Sequence, residues 1–299
     1  MKVGIVFPQT EIGADPVVLR DFAQTAEGLG FSHILAFDHV LGVEHAGREP
    51  ALTGPYTEAS TFHEPLTLFA HWAAVTTDIG FATGVLVLPQ RQAPLVAKQA
   101  AEVAILSRDR LRLGVGIGWN HAEYACMNAD FADRGARQEE QVELMRRLWT
   151  GEVIDFEGRW HRIDRAALAP APARPVPVWF GGFSEAAHDR AARIGDGFFF
   201  ARVGEGVSGG RPTQAVQTVL AQAGRMRARV AELGRDPQSF QLEGRVNLRD
   251  DPAVRRAESE AFRDDGFDYL AVNTMTAGLD SASAHLAALH EIAKECELL

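Results

Sequence analysis

Eight short apolar runs rich in β-branched residues, each followed by helical periodicity, divide this chain almost from end to end. Strands are expected at 3–7, 32–37, 80–88, 111–117, 178–180, 197–201, 241–246 and 267–272. Helices are expected at 16–29, 65–75, 94–106, 122–127, 138–148, 184–194, 213–233, 252–262 and 281–293. Regular alternation of strand and helix calls for a parallel sheet. Eight such units in 299 residues are what a (β/α)8 TIM barrel needs; an open, doubly wound sheet is the competing arrangement. No repeat or linker interrupts the pattern, so residues 1–299 read as a single domain. Two insertions depart from the rhythm: 40–61 after strand two, and 153–177 before strand five, with its Pro/Ala run.

Composition narrows the partners. A net charge of −10 argues against nucleic acid or an anionic membrane, both of which need a positive field. The two cysteines, Cys126 and Cys296, give no disulfide framework and suit a reducing compartment. The opening run MKVGIVFPQ stops at Pro8, too short for a signal-peptide core, and reads as a first buried strand. No stretch approaches the ~20 apolar residues of a membrane span. A cytoplasmic protein is therefore expected. Ten histidines invite a metal, but His63-Glu64 and His121-Ala122-Glu123 lack the partners that metal spacing requires, so none is expected. A G-x-S-x-G elbow is also missing, which leaves a covalent nucleophile unsupported.

The stretch RLRLGVGIGWN (110–120) carries Gly114, Gly116 and Gly118 at alternate positions. A Rossmann fingerprint is G-x-G-x-x-G on the first strand–helix turn. Here the spacing is G-x-G-x-G, on the fourth strand. Alternate glycines share one face of a strand, where they admit something flat or bulky or simply relieve crowding at the barrel wall. Gly181-Gly182-Phe183-Ser184 follows strand five and opens a helix, a turn suited to an anion; the plainer reading is an N-cap by Ser184. The ends of strands four and five are neighbours in a barrel. Together the two turns suggest a cofactor with a flat ring and a phosphate.

Three stretches carry a wider likeness: ATGVLVLPQRQAPLVAKQAAEVAILSRDRLRLGVGIGWNHAEY (82–124), FADRGARQEEQVELMRRLWTGEV (131–153) and VPVWFGGFSEAAHDRAARIGDGFF (176–199). With Asp38-His39 ending strand two, the chain resembles the bacterial luciferase-like superfamily, and within it the oxidoreductases that use the deazaflavin coenzyme F420. The resemblance implies the same barrel, with the cofactor at its C-terminal mouth. It implies a non-prolyl cis peptide at Gly84-Val85, behind the central ring. Gly116, Ile117, Gly118, Trp119 and Asn120 would line the ring and its polyol chain, and Gly181, Gly182 and Ser184 the phosphate. His39 would exchange a proton with substrate, and Asp38 would orient His39 or touch the ring. Relatives of this class are often homodimers, and a homodimer is expected here.

Trp119 stands where the sugar-phosphate dehydrogenases of the class have Glu. An indole cannot transfer a proton, which argues against a hexose phosphate substrate. The 40–61 segment is too long for a connector and reads as a lid, with Tyr56 and His45 as candidate contacts. Two alternatives keep the fold. One is an FMN-dependent monooxygenase, disfavoured by PQRQ (89–92) and GWN (118–120); the other is a flavin- or deazaflavin-binding protein without turnover.

Overall fold

The computed structural model describes residues 1–201 and 214–298. In chain order it contains β1 (Lys2–Val6), α1 (Pro16–Gly28), β2 (His33–Ala36), α2 (Pro65–Val75), β3 (Gly80–Thr83), β4 (Leu86–Val87) and α3 (Ala93–Leu106). Then follow β5 (Leu111–Gly116), α4 (His121–Cys126), α5 (Arg134–Leu148), β6 (Ile154–Glu157), β7 (Arg162–Ala166) and β8 (Val178–Gly181). The chain ends with α6 (Glu185–Ile194), β9 (Gly197–Phe199), α7 (Gln214–Glu232), β10 (Gln241–Asn247), α8 (Pro252–Asp264), β11 (Tyr269–Asn273) and α9 (Ala282–Glu295). Thr213, the expected first residue of the seventh helix in the sequence reading, lies outside the described residues.

The sheet runs β3-β2-β1-β11-β10-β9-β8-β5-β4, parallel at every pairing, and β3 also pairs with β5. It is therefore closed. β3 and β4 occupy one wall position, divided at the cis peptide between Gly84 and Val85, so nine strands build eight staves of a (β/α)8 barrel. The helices begin where local chemistry dictates. Asp15 and Glu64 accept from Val17 N and Thr67 N, and each is followed by a proline that has no N–H to satisfy. The 153–177 insertion, irregular by its sequence pattern, contains an antiparallel hairpin, β6–β7.

Alternation along the strands separates two cores. The larger lies between barrel and helices, from Ile5 and Ile34 to Phe262 and Leu289. The smaller fills the barrel with Val6, Leu35, Ala82, Trp179, Phe199, Ala271 and Met275. Beneath it is a buried polar floor. Glu243 receives His33 Nε2 at 3.1 Å and Arg112 Nη1 at 2.9 Å, while the Arg112 guanidinium lies 4.0 Å from the Tyr269 ring and 4.6 Å from that of Trp179. The His33 ring uses the space that Gly4 leaves by lacking a Cβ. This buried ionic layer, in which only Nη2 of Arg112 lacks a hydrogen-bond partner among the described residues, plugs the N-terminal end and leaves the C-terminal mouth for function.

Candidate active site

A cleft of about 480 Å³ opens at the C-terminal mouth and reaches down to Glu243. Eleven of the twelve site residues that the resemblance implies line it: Asp38, His39, Gly84, Val85, Gly116, Ile117, Gly118, Trp119, Gly181, Gly182 and Ser184. Asn120 does not. It is buried, and its Oδ1 accepts from Glu123 N at 3.0 Å, capping α4. Ser184 also spends its hydroxyl as a cap, accepting from Ala187 N at 3.2 Å.

Of the two uses open to the glycines, relief of crowding at the barrel wall is the one their neighbours display. An added Cβ on Gly181 would lie 2.7 Å from Val85 Cγ1, and one on Gly116 would overlap Val85 Cγ2. On Gly114 it would collide first with the Thr83 carbonyl oxygen and also meet the Phe199 ring at 2.6 Å, and on Gly118 it would meet Val87 Cγ1 at 2.8 Å. The row of glycines thus seats the side chains of Val85, Val87 and Phe199 inside the barrel. The backbone of this row remains on the cleft wall.

His39 and Asp38 diverge. Successive side chains at a strand end point to opposite sides, so Asp38 turns away from His39. Its Oδ2 accepts from Val87 N at 2.8 Å and its Oδ1 pairs with Arg91 Nη2 at 2.7 Å. Arg91 also reaches Glu64 at 3.0 Å. Burial pushes the Asp38 carboxyl up, with Arg91 and the Val87 N–H opposing it. The expectation that Asp38 orients His39 is therefore corrected: the carboxylate beside His39 is Glu123, whose Oε2 lies 2.8 Å from Nδ1. Glu123 Oε1 accepts from Val40 N at 2.7 Å and Leu41 N at 3.2 Å. Burial raises the Glu123 carboxyl, but the bonds from His39, Leu41 and Val40 outweigh it and leave it below the ordinary range. Glu123 is thus an ionised, wholly buried acceptor.

Aromatic rings close around the imidazole. Phe62, Tyr56 and Trp119 lie 4.9, 5.3 and 5.7 Å from His39, all edge-on. Tyr56 comes from the 40–61 segment and lines the cleft. His45 stands behind, 6.3 Å from the Trp119 ring. Val43 and Leu52 bury themselves against Ala122, with Trp119 packed beside them. Arg134, at the start of α5, also lines the cleft and has a buried Nε without a partner among the described residues. Gly182, at φ +154°, opens the turn into α6. A helix N-terminus, a glycine turn and a guanidinium on one wall suit an anion.

The family model described as luciferase-like monooxygenase matches residues 1–296. The chain belongs to the luciferase-like monooxygenase family. An uncharacterized protein of Mycobacterium tuberculosis is 32% identical to this family member over 225 residues, 74% of this chain and 75% of that one. The F420-dependent glucose-6-phosphate dehydrogenase of Nakamurella multipartita is 33% identical over 208 residues, covering 69% of this chain but 56% of that enzyme. With relatives named as dehydrogenases, the chain stands in an oxidoreductase lineage. Two solved structures share the fold. An F420-dependent secondary alcohol dehydrogenase, in complex with an F420-acetone adduct, gives a TM-score of 0.75 at 15% identity, over 99% of this chain and 98% of that one. A monooxygenase from Streptomyces bottropensis gives 0.76 at 19% identity, with the same coverage. Among the described residues of this luciferase-like protein, no helix is long and apolar enough to cross a membrane.

Sequence reasoning missed Glu123 and the clamp made by Arg91. In the sequence Glu123 falls inside the helix expected at 122–127, and His121-Ala122-Glu123 is weighed only against metal spacing. Only the fold brings Glu123 to His39, across 84 positions.

Proposed function

We propose that this protein is an F420-dependent oxidoreductase that moves a hydride between deazaflavin carbon C5 and a small organic alcohol or carbonyl compound. The observation that carries it is His39, paired with Glu123 and lining a cleft whose other lining features suit a phosphorylated ring cofactor. Similarity to F420-dependent dehydrogenases at 32–33% identity supports the cofactor.

When bound, F420 supplies hydride chemistry at C5. The Gly181–Gly182 turn, the α6 N-terminus and Arg134 would hold its phosphate, and Val85 and the backbone at Gly116–Gly118 its ring and side chain. The remaining tasks fall to this chain's own groups. With Nδ1 committed to Glu123, His39 Nε2 is the nitrogen that exchanges a proton. It takes the hydroxyl proton as an alcohol loses hydride from its carbinol carbon, and returns it to the carbonyl oxygen in the reverse direction. Tyr56, Phe62 and Trp119 exclude water around that transfer.

A titration followed by tryptophan fluorescence, with F420 and separately with FMN, tests this reading. Saturable F420 binding with weak FMN binding is expected. A preference for FMN moves the protein to oxygen chemistry. His39→Ala should abolish turnover while keeping cofactor affinity; a protein whose turnover survives that change does not use His39.

A further inference from the structure

We infer that Glu123 is the positioning residue of His39, dictating which imidazole nitrogen faces the reacting oxygen. This rests on the proton-transfer role given to His39 above.

The argument is one of donors and acceptors. The Glu123 carboxylate touches His39 Nδ1 at 2.8 Å, Val40 N at 2.7 Å and Leu41 N at 3.2 Å. Both amides can only donate, and an ionised carboxylate can only accept. The third contact must therefore also be a donor, and Nδ1 carries the hydrogen. A neutral imidazole has one N–H, so Nε2 is left with a lone pair. Free imidazole rings in proteins are not held to this tautomer; Glu123 imposes it. When Nε2 takes a proton, the positive charge on the ring forms against a buried carboxylate already in place, with no solvent reorganisation.

Geometry also shows why this acid serves and its neighbour does not. Asn120 caps α4, so the Glu123 side chain is free to leave its own helix. Asp38 is closer in sequence but already pairs with Arg91 and the Val87 amide. Glu123 also grips the first two residues of the 40–61 segment through its other oxygen. The ring orientation and the root of that segment therefore share one anchor.

Glu123→Gln is the decisive substitution because it preserves shape. Its carbonyl can keep the Val40 and Leu41 amides, which places its NH2 against Nδ1. That nitrogen must then accept, and the hydrogen moves to Nε2. Nitrogen-15 NMR of histidine-labelled, cofactor-free protein, with His39→Asn to assign the signal, reads this directly. In its neutral form the wild-type ring is expected to show the Nδ1–H tautomer, Glu123→Gln the Nε2–H tautomer, and Glu123→Asp the wild-type one. An unchanged His39 signal in folded Glu123→Gln overturns the inference. So does an Nε2–H form in Glu123→Asp, which guards the test if the Gln variant misfolds. In F420-loaded protein, kcat should fall on the order of 10³-fold in Glu123→Gln with KM nearly unchanged. A tautomer switch without any F420 turnover in the wild type defeats the proposed function and leaves Glu123's role standing; turnover with no tautomer switch does the reverse.

Discussion

Val85 holds its Cγ1 methyl 2.7 Å from the point where Gly181 would carry a Cβ, and its Cγ2 methyl fills the corresponding place at Gly116. One side chain on the third stave is thus keyed into gaps on the fourth and fifth. The glycines are required by a neighbour within the protein before any ligand is considered. Close-packed interiors respond to a single added carbon when nothing can move aside.

Gly116→Ala and Gly181→Ala should each destabilise the fold by about 1–3 kcal/mol through overpacking. Val85→Ala removes the obstructing methyls at its own cost. Combined with Gly116→Ala it should cost less than the sum of the two single changes, by more than ~0.5 kcal/mol. Urea unfolding of the four proteins completes the cycle. Strict additivity means that the two residues do not meet.

Asp38→Asn tests a separate relationship. The Asp38 side chain is fully buried against Arg91, so removing its charge leaves a largely buried guanidinium with only Glu64. Breaking a buried pair from one side costs about 3 kcal/mol. That loss should appear in the midpoint of denaturation. The His39 tautomer should stay as in the wild type, because Asp38 does not touch the ring; a changed His39 signal restores the orienting role first expected of Asp38.

The acid limb of stability should reflect two buried histidines. Burial holds His33 below the ordinary histidine range, with Glu243 opposing and Arg112 reinforcing the shift. Burial lowers His285 too, against Glu11. Below about pH 6.5 the unfolded chain protonates these residues while the native state does not. The unfolded state then binds more protons, so stability falls as pH drops from about 6.5 toward the lowered native values. Glu123 and Glu243 are also held low; their contribution is complete above the unfolded carboxylate value and is lost only further down. Melting curves should show Tm lower at pH 5 than at pH 7.5, with a shallower slope in His33→Gln. A flat Tm across that interval rules the histidines out as the cause.

The barrel was legible because burial on both faces makes parallel strands read as apolar runs, and because Pro16, Pro65 and Pro252 mark helix starts. The hairpin β6–β7 was not. Its strands, IDFE and RIDRA, are short and charged, with Asp155, Glu157 and most of β7 exposed. At the site, the two glycine turns were legible as places where side chains are missing. What fills them was not, since Val85 belongs to another stave. Glu123 was hidden for the same reason: a carboxylate four residues past Trp119 gives no sign that it will meet His39, just beyond strand two.

Gly54 links the inserted segment to the cleft. It sits so close to Trp119 that a Cβ would overlap the Cη2 and Cζ3 atoms of the indole. The indole has no easy retreat, with His39 5.7 Å away on the cleft side and Val43, Leu52 and Ala122 packed beside it. Gly54→Ala should therefore push the segment outward rather than the ring inward. Gly54 itself is exposed, and surface changes cost little, so stability should move by less than about 0.5 kcal/mol. Displacing Tyr56, two residues on, should nevertheless loosen the wall around His39 and raise KM about tenfold through lost positioning. Proteolysis within residues 40–61 should quicken in parallel. Unchanged KM and unchanged cleavage would mean that the segment is not fastened to the cleft through Trp119.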